Sequence, residues 1–213
     1  NYQIDFDYNP SPVHHVKFGA GYIYHRFRPE VMTSKISDRT DDQTYRDTTY
    51  HNMNNSRIYA HEVSAYAEDN LKISSRLRLN LGLHFSLFHV QKQSYFSLQP
   101  RISARYQLTD DITLKASYTK MSQYVHLLSS MPIAMPTDLW VPVTKEIKPM
   151  QSHQYSLGGY YTGIKGWEFS VEGYYKDMRN VLEYKDGVSF FGSSTGWENK
   201  VEMGKGRSVG IEL

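Results

Sequence analysis

The sequence predicts an all-β fold, an antiparallel transmembrane β-barrel segment of roughly nine strands, and three observations carry that prediction. The first is one stretch, residues 76–89. Leu77, Leu79, Leu81, Leu83, Phe85 and Leu87 alternate there with Arg78, Asn80, Gly82, His84 and Ser86. A strand sends successive side chains to opposite faces, so one face is a continuous apolar ladder and the other is polar or small. The run exceeds the roughly 5–6 residues usual for a globular strand, and it suits a tilted strand that needs roughly 9–11 to cross a bilayer. Alone it fits a half-buried strand of a soluble sandwich equally well. The second observation is that such ladders recur along the chain, and the third is that the connections between them alternate between short and long.

Composition narrows the class. The chain has 213 residues, with 24 Lys and Arg against 22 Asp and Glu, a net charge of +2. Scattered and nearly balanced charge argues against a nucleic-acid partner. Cysteine is absent, which removes disulfides, thiol nucleophiles and Cys-type zinc sites. No apolar run approaches the ~18 residues of a membrane helix, but a barrel strand needs only every second residue apolar. Eighteen Tyr and three Trp suit the aromatic girdles of such a barrel. The chain opens directly inside a strand-like alternation, so the expectation is an excerpt of a longer chain, a partial barrel over residues 1–213.

Taken in order, Tyr2, Ile4, Phe6 and Tyr8 form the first ladder, which the Asn9-Pro10-Ser11-Pro12 turn ends. Val16, Phe18, Ala20, Tyr22 and Tyr24 form the second. Residues 29–56 lose periodicity and are too polar to bury, so they read as a long solvated loop. Tyr59, His61, Val63, Ala65 and Ala67 make a weaker third ladder ending at Glu68-Asp69-Asn70, and residues 76–89 are the fourth. A loop is expected over 91–97, with Pro100 near the beginning of the fifth strand. Thr109-Asp110-Asp111 turns that strand into Ile112, Leu114, Ala116 and Tyr118.

A second long loop is expected over 121–152, where four prolines interrupt any ladder and Tyr124, Leu127, Leu128, Leu139 and Trp140 supply apolar content. Tyr155, Leu157, Gly159 and Tyr161 lead through a turn at 162–166 into Trp167, Phe169, Val171, Gly173 and Tyr175. The period slips at 177–180, which predicts a bulge. Residues 185–196 read as a third loop. Trp197, Val201, Met203, Val209, Ile211 and Leu213 then keep one parity in a ninth strand.

Short connections thus fall at 9–14, 70–75, 109–111 and 162–166, and longer ones at 29–56, 91–97, 121–152 and 185–196. Outer-membrane barrels have this asymmetry, with periplasmic turns and extracellular loops, whereas sandwiches mix lengths at both ends. The prediction places 29–56 and 121–152 outside the cell and 109–111 in the periplasm. Nine is an odd number for a single-chain bacterial barrel, so the segment belongs to something larger.

Several passages resemble TonB-dependent outer-membrane receptors in the barrel region. They include Tyr66-Ala67-Glu68-Asp69 with Leu79-Asn80-Leu81-Gly82-Leu83, and Leu98-Gln99-Pro100-Arg101-Ile102-Ser103-Ala104-Arg105-Tyr106. Ile147-Lys148-Pro149-Met150-Gln151-Ser152 before Tyr155, Glu172-Gly173-Tyr174-Tyr175-Lys176 and the run from Gly204 to Leu213 are similar to later strands of that family. The resemblance implies a barrel of roughly 22 strands filled by its own plug domain, with the plug domain and the C-terminal strands lying outside residues 1–213. It also implies contact with the TonB complex through an N-terminal region, outer-membrane lipid around the wall, and uptake of a scarce nutrient such as a metal chelate, vitamin or oligosaccharide.

On that reading Arg76, Arg78, Arg101, Arg105, Lys115, Glu168 and Glu172, with Lys176, face the lumen and meet the plug or the passing substrate. A solvated charge ladder explains any one of them as well. Tyr124, His126, Asp138 and Trp140 in the 121–152 loop are the candidate ligand contacts, against the alternative that the loop packs on itself. The histidines show no ligand spacing, so no metal site is assigned, and no nucleophile elbow or phosphate loop marks an enzyme or a cofactor. Gly-Lys-Gly-Arg-Ser at 204–208 lacks P-loop spacing. The competing functions are a passive porin-like channel, a soluble carbohydrate-binding β-sandwich and, last, a membrane-embedded hydrolase.

Overall fold

The computed structural model describes residues 1–28, 33–39, 45–51, 57–128, 139–187 and 197–213. The described strands are β1 (Tyr2–Ser11), β2 (His14–Phe27), β3 (Thr33–Arg39), β4 (Tyr45–His51), β5 (Ile58–Lys72), β6 (Leu77–Val90) and β7 (Gln93–Gln107). They continue with β8 (Ile112–Gln123), β9 (Val125–Leu128), β10 (Leu139–Pro142), β11 (Met150–Tyr161), β12 (Phe169–Tyr184) and β13 (Val201–Glu212). Nine of these form one antiparallel sheet in the order β1-β2-β5-β6-β7-β8-β11-β12-β13, and β3-β4 and β9-β10 are separate hairpins. Every main-sheet neighbour is the next main-sheet strand in sequence, so the sheet is an up-and-down meander, as in a barrel wall.

The alternation sorts by face as period two requires. On β6, Leu81, Leu83 and Phe85 are about 40% exposed or more, while Ser86 between them and the loop is 1% exposed. Phe96, Leu98, Leu157, Val209 and Ile211 share the outer, exposed face. The opposite face carries polar groups that satisfy one another: Gln99 Nε2 donates to Ser86 Oγ at 2.8 Å, and Asn80 donates to Asn70 Oδ1 at 2.7 Å. A sheet with its apolar face open and its polar face enclosed is the inverse of a soluble sandwich, and lipid is the solvent that suits it.

Several connections differ from the expectation. The loop expected over 91–97 is a two-residue turn: Gln91 and Lys92 both have positive φ, 46° and 69°, the geometry of a type I′ hairpin. Strand β7 therefore begins at Gln93, and Pro100 sits in its middle, opposite Leu83. The missing N–H has a visible consequence, because the β7–β8 ladder stops at Arg101↔Thr119, the residue after Pro100. Side chains bridge the parting strands. Gln99 Oε1 accepts the Ser122 N–H at 3.2 Å, and the Ser97 and Ser122 hydroxyls meet at 2.6 Å.

Within 29–56, Thr33–Arg39 and Tyr45–His51 pair as an antiparallel hairpin, so part of the expected loop is strand; its other residues lie outside the described ones. The loop expected over 121–152 contains the β9-β10 hairpin, with β8 reaching Gln123 and β11 starting at Met150. Only 185–187 of the third loop are described, and a 3₁₀ turn at Trp197–Lys200 precedes β13. The bulge is where the period slips: the β12–β13 register shifts between Arg179 and Val181, around Asn180 at φ 57°.

The apolar core sits at the loop end, on the inner face. Phe27, Ile58, Phe88, Val90, Tyr124, Leu128, Val141, Val143, Ile147, Trp197 and Val201 join there. The β9-β10 hairpin builds it, β9 packing against β12 and β10 against β2. Those two strands are six places apart in the sheet order. A flat sheet would separate them by roughly 29 Å at about 4.8 Å per strand, so the sheet is rolled around the hairpin.

Candidate functional site

The inner face of the turn half is charged by sector. Register places Lys72, Arg78, Arg105 and Lys115 directly opposite one another across four neighbouring strands, and Arg101 lies on the same face of β7. No Asp or Glu occurs in β6, β7 or β8. The acids of this face lie to either side, among them Asp5, Asp7, Glu62 and Glu68 on β1 and β5, and Glu172 with Glu212 opposite it on β12 and β13. Gly19 on β2 leaves room for the Tyr66 ring, whose hydroxyl donates to Asp5 Oδ1 at 2.7 Å; a Cβ at Gly19 would come within 2.8 Å of that ring.

Arg78, Arg105 and Lys115 line a cleft of about 1180 Å³ that reaches from the β1–β2 turn to Tyr160 and Glu172. The Lys115 ammonium lies 3.8 Å from the Tyr160 ring centroid, and the Tyr160 hydroxyl donates to Glu172 Oε2 at 3.1 Å. Tyr160 thus stands between cation and carboxylate and uses its ring for one and its hydroxyl for the other. This row can attract an anion into a wide, wet space. Among the described residues no three His, Asp or Glu side chains converge as metal ligands.

At the loop end the hairpin divides its residues. Trp140 pairs with Leu127, both turned from the core and 58% and 45% exposed, while Val141 pairs with His126 on the buried side. Tyr124, 4% exposed, stacks on Phe88 with centroids 5.0 Å apart, and its hydroxyl meets that of Ser86 at 2.7 Å. The Val143 N–H donates to Tyr124 O at 2.8 Å, and the Tyr95 hydroxyl donates to Thr144 O. His126 Nε2 is buried without a hydrogen-bond partner among the described residues, and burial pulls the imidazole below its ordinary value.

Of the residues the sequence nominated, Arg78, Arg101, Arg105, Lys115 and Glu172 therefore share the inner face. Arg76 and Glu168 lie in connections, exposed, just before β6 and β12; Arg76 contributes its carbonyl, which accepts the Gln107 N–H at 2.8 Å. Asp138 lies outside the described residues. Tyr124 is a packed anchor and Trp140 is open, so the two rings expected to act together are separated by the hairpin. Lys72 was missed because Glu68-Asp69-Asn70 read as a turn. The signal was the even parity that Glu68, Asn70 and Lys72 carry onward.

The family profile described as "TonB dependent receptor-like, beta-barrel" matches residues 1–213. Among solved structures, the chain is similar to the siderophore receptor PirA from Pseudomonas aeruginosa, with TM-score 0.63 and 14% identity over 98% of this chain and 37% of that one. It is also similar to PirA from Acinetobacter baumannii, with TM-score 0.57 and 19% identity over 97% and 30%. The FrpB iron transporter from Neisseria meningitidis, in its apoprotein form, gives TM-score 0.59 and 14% identity over 86% and 29%. At these identities the likeness is one of fold. The chain spans about a third of the length of these receptors, and no curated protein sequence matches it significantly. By the match over its whole length, the chain belongs to the TonB-dependent receptor β-barrel family and is an outer-membrane barrel wall.

Proposed function

We propose that the receptor containing this wall takes up an anionic metal chelate across the outer membrane, with a plug domain in its lumen and energy supplied through TonB. The observation that carries the reading is the acid-free basic sector of β6–β8, which faces a cleft large enough for a chelate. Clefts lined by one sign of charge concentrate ligands of the other. The solved relatives, an iron transporter and siderophore receptors, point the same way. Trp140 and Leu127, both exposed on the β9-β10 hairpin, offer an apolar entry contact, and Asp138 lies two residues before Trp140 in sequence.

The test is uptake of radiolabelled ferric chelates of graded charge by cells carrying the full receptor. Uptake should vanish when the proton gradient is collapsed, and should fall for anionic chelates when Arg78, Arg105 and Lys115 are changed to Gln. Uptake that survives gradient collapse would instead identify a passive channel. Equal loss for neutral and anionic chelates would remove the basic sector from recognition.

A further inference from the structure

The outer face of β8, β11, β12 and β13 changes character along its length in three steps. Ala116, Leu157, Gly173 and Ile211 lie directly opposite one another in an apolar row. One step toward the loop end the row is Tyr118, Tyr155, Tyr175 and Val209, and one step further it is Lys120, His153, Asp177 and Arg207. Arg179 and Lys205 follow, again opposite each other. All share parity with Leu157 and Ile211, so this cluster faces the membrane side of the wall and not the lumen.

Its charge is lopsided. Four cations, Lys120, Arg179, Lys205 and Arg207, surround the single carboxylate of Asp177. The two arginines approach that carboxylate only loosely, Arg179 Nε at 3.6 Å and Arg207 Nε at 3.8 Å, beyond hydrogen-bond length, with their side chains 64% and 77% exposed. His153 is held by the Tyr118 hydroxyl at 3.0 Å. The bulge at Asn180 fixes the geometry, since its side-chain amide donates to Pro149 O at 2.9 Å and the register shifts immediately after Arg179. Cations placed outside a barrel, just beyond an aromatic row, stand at headgroup depth.

We propose that this cluster is a binding site for the phosphorylated sugar headgroup of an outer-leaflet glycolipid, with Arg179, Lys205 and Arg207 on the phosphate and Tyr155 and Tyr175 against the sugar. Guanidinium and ammonium groups are the side chains suited to phosphate oxygens, and the succession from apolar to aromatic to basic matches a lipid's succession from acyl chain to headgroup. The site is separate from the nutrient reading, because lipid retention is measured with no substrate present.

The test is native mass spectrometry of the full-length receptor in detergent, titrated with diphosphorylated lipid A and with the same lipid after phosphatase treatment. The phosphorylated lipid should be retained and the dephosphorylated one lost. Arg179→Gln, Lys205→Gln and Arg207→Gln should weaken retention by roughly fivefold per cation removed, while Lys165→Gln in the opposite turn leaves it unchanged. Normal heat-modifiable mobility on gels certifies the fold of each variant. If the triple variant fails to fold, the two lipids compared on the unmodified receptor decide the matter. Equal retention of both lipids, unchanged retention by a folded triple variant, or displacement by millimolar inorganic phosphate would each overturn the lipid site.

Discussion

The two ends of the inner face are built from the same strands and have opposite character. At the turn end, Arg78, Arg105 and Lys115 look into an open cleft and are solvated; at the loop end, Phe88 and Val90 of the same β6 parity are fully buried. The alternation along β6 does not change there, only the residue type at the inward positions, from Asn80 and His84 to Phe88 and Val90. What differs is the cover. The 139–147 segment and β9 lie over the loop end, and apolar inward residues are stable only where something dry lies on them.

Five substitutions break or sharpen that contrast. Phe88→Ala removes a fully buried ring from the covered end and should cost roughly 3–5 kcal/mol, read in lipid vesicles as a lower urea midpoint and as protease cleavage of the hairpin. Leu81→Arg, on the outer face in mid-strand, should cost roughly 2–4 kcal/mol near the midplane. Asn80→Arg on the open inner face should cost far less, because Glu68, which accepts from Asn80 at 3.0 Å, stays close to the new charge. Equal costs would contradict the assigned facing. Trp140→Ala should lower affinity for the proposed anionic chelate by up to about tenfold, roughly 0.5–1.5 kcal/mol for one aromatic contact, with hairpin protease resistance kept; Tyr124→Ala should lose that resistance.

The smallest effect is a pH dependence. Buried His126 has its imidazole lowered from 6.5, so the unfolded chain takes up a proton before the folded one does. The hairpin's stability is complete above about 6.5 and declines as pH falls from there toward the depressed folded value. Limited proteolysis at stepped pH should show cleavage rising on acidification, and His126→Phe should remove the dependence. An unchanged profile in that variant would place the titrating group elsewhere.

The faces, the strand count of the main sheet and the bulge at Asn180 were legible in the sequence, because period two is a local property that each strand repeats independently. The tight turn at Gln91-Lys92 was not, since neither residue is the Asn or Gly that normally announces a type I′ hairpin, and the register of β6 and β7 imposes the positive φ on both. Pro100 read as a strand start for the same reason: one proline cannot say which neighbour it fails. Its N–H is missing where β7 and β8 part, and the β6 side of the ladder runs on past it.

The sequence by itself determined which side chains share a face and which residue types each face offers to lipid or water. Tertiary structure alone decided which of those residues act together. Lys72, Arg78, Arg105 and Lys115 become one row through strand register, Trp140 parts from Tyr124 through the fold of the hairpin, and Lys120 joins Arg207 across four strands. Register couples residues tens of positions apart through backbone hydrogen bonds, and no local pattern in a single strand carries that information.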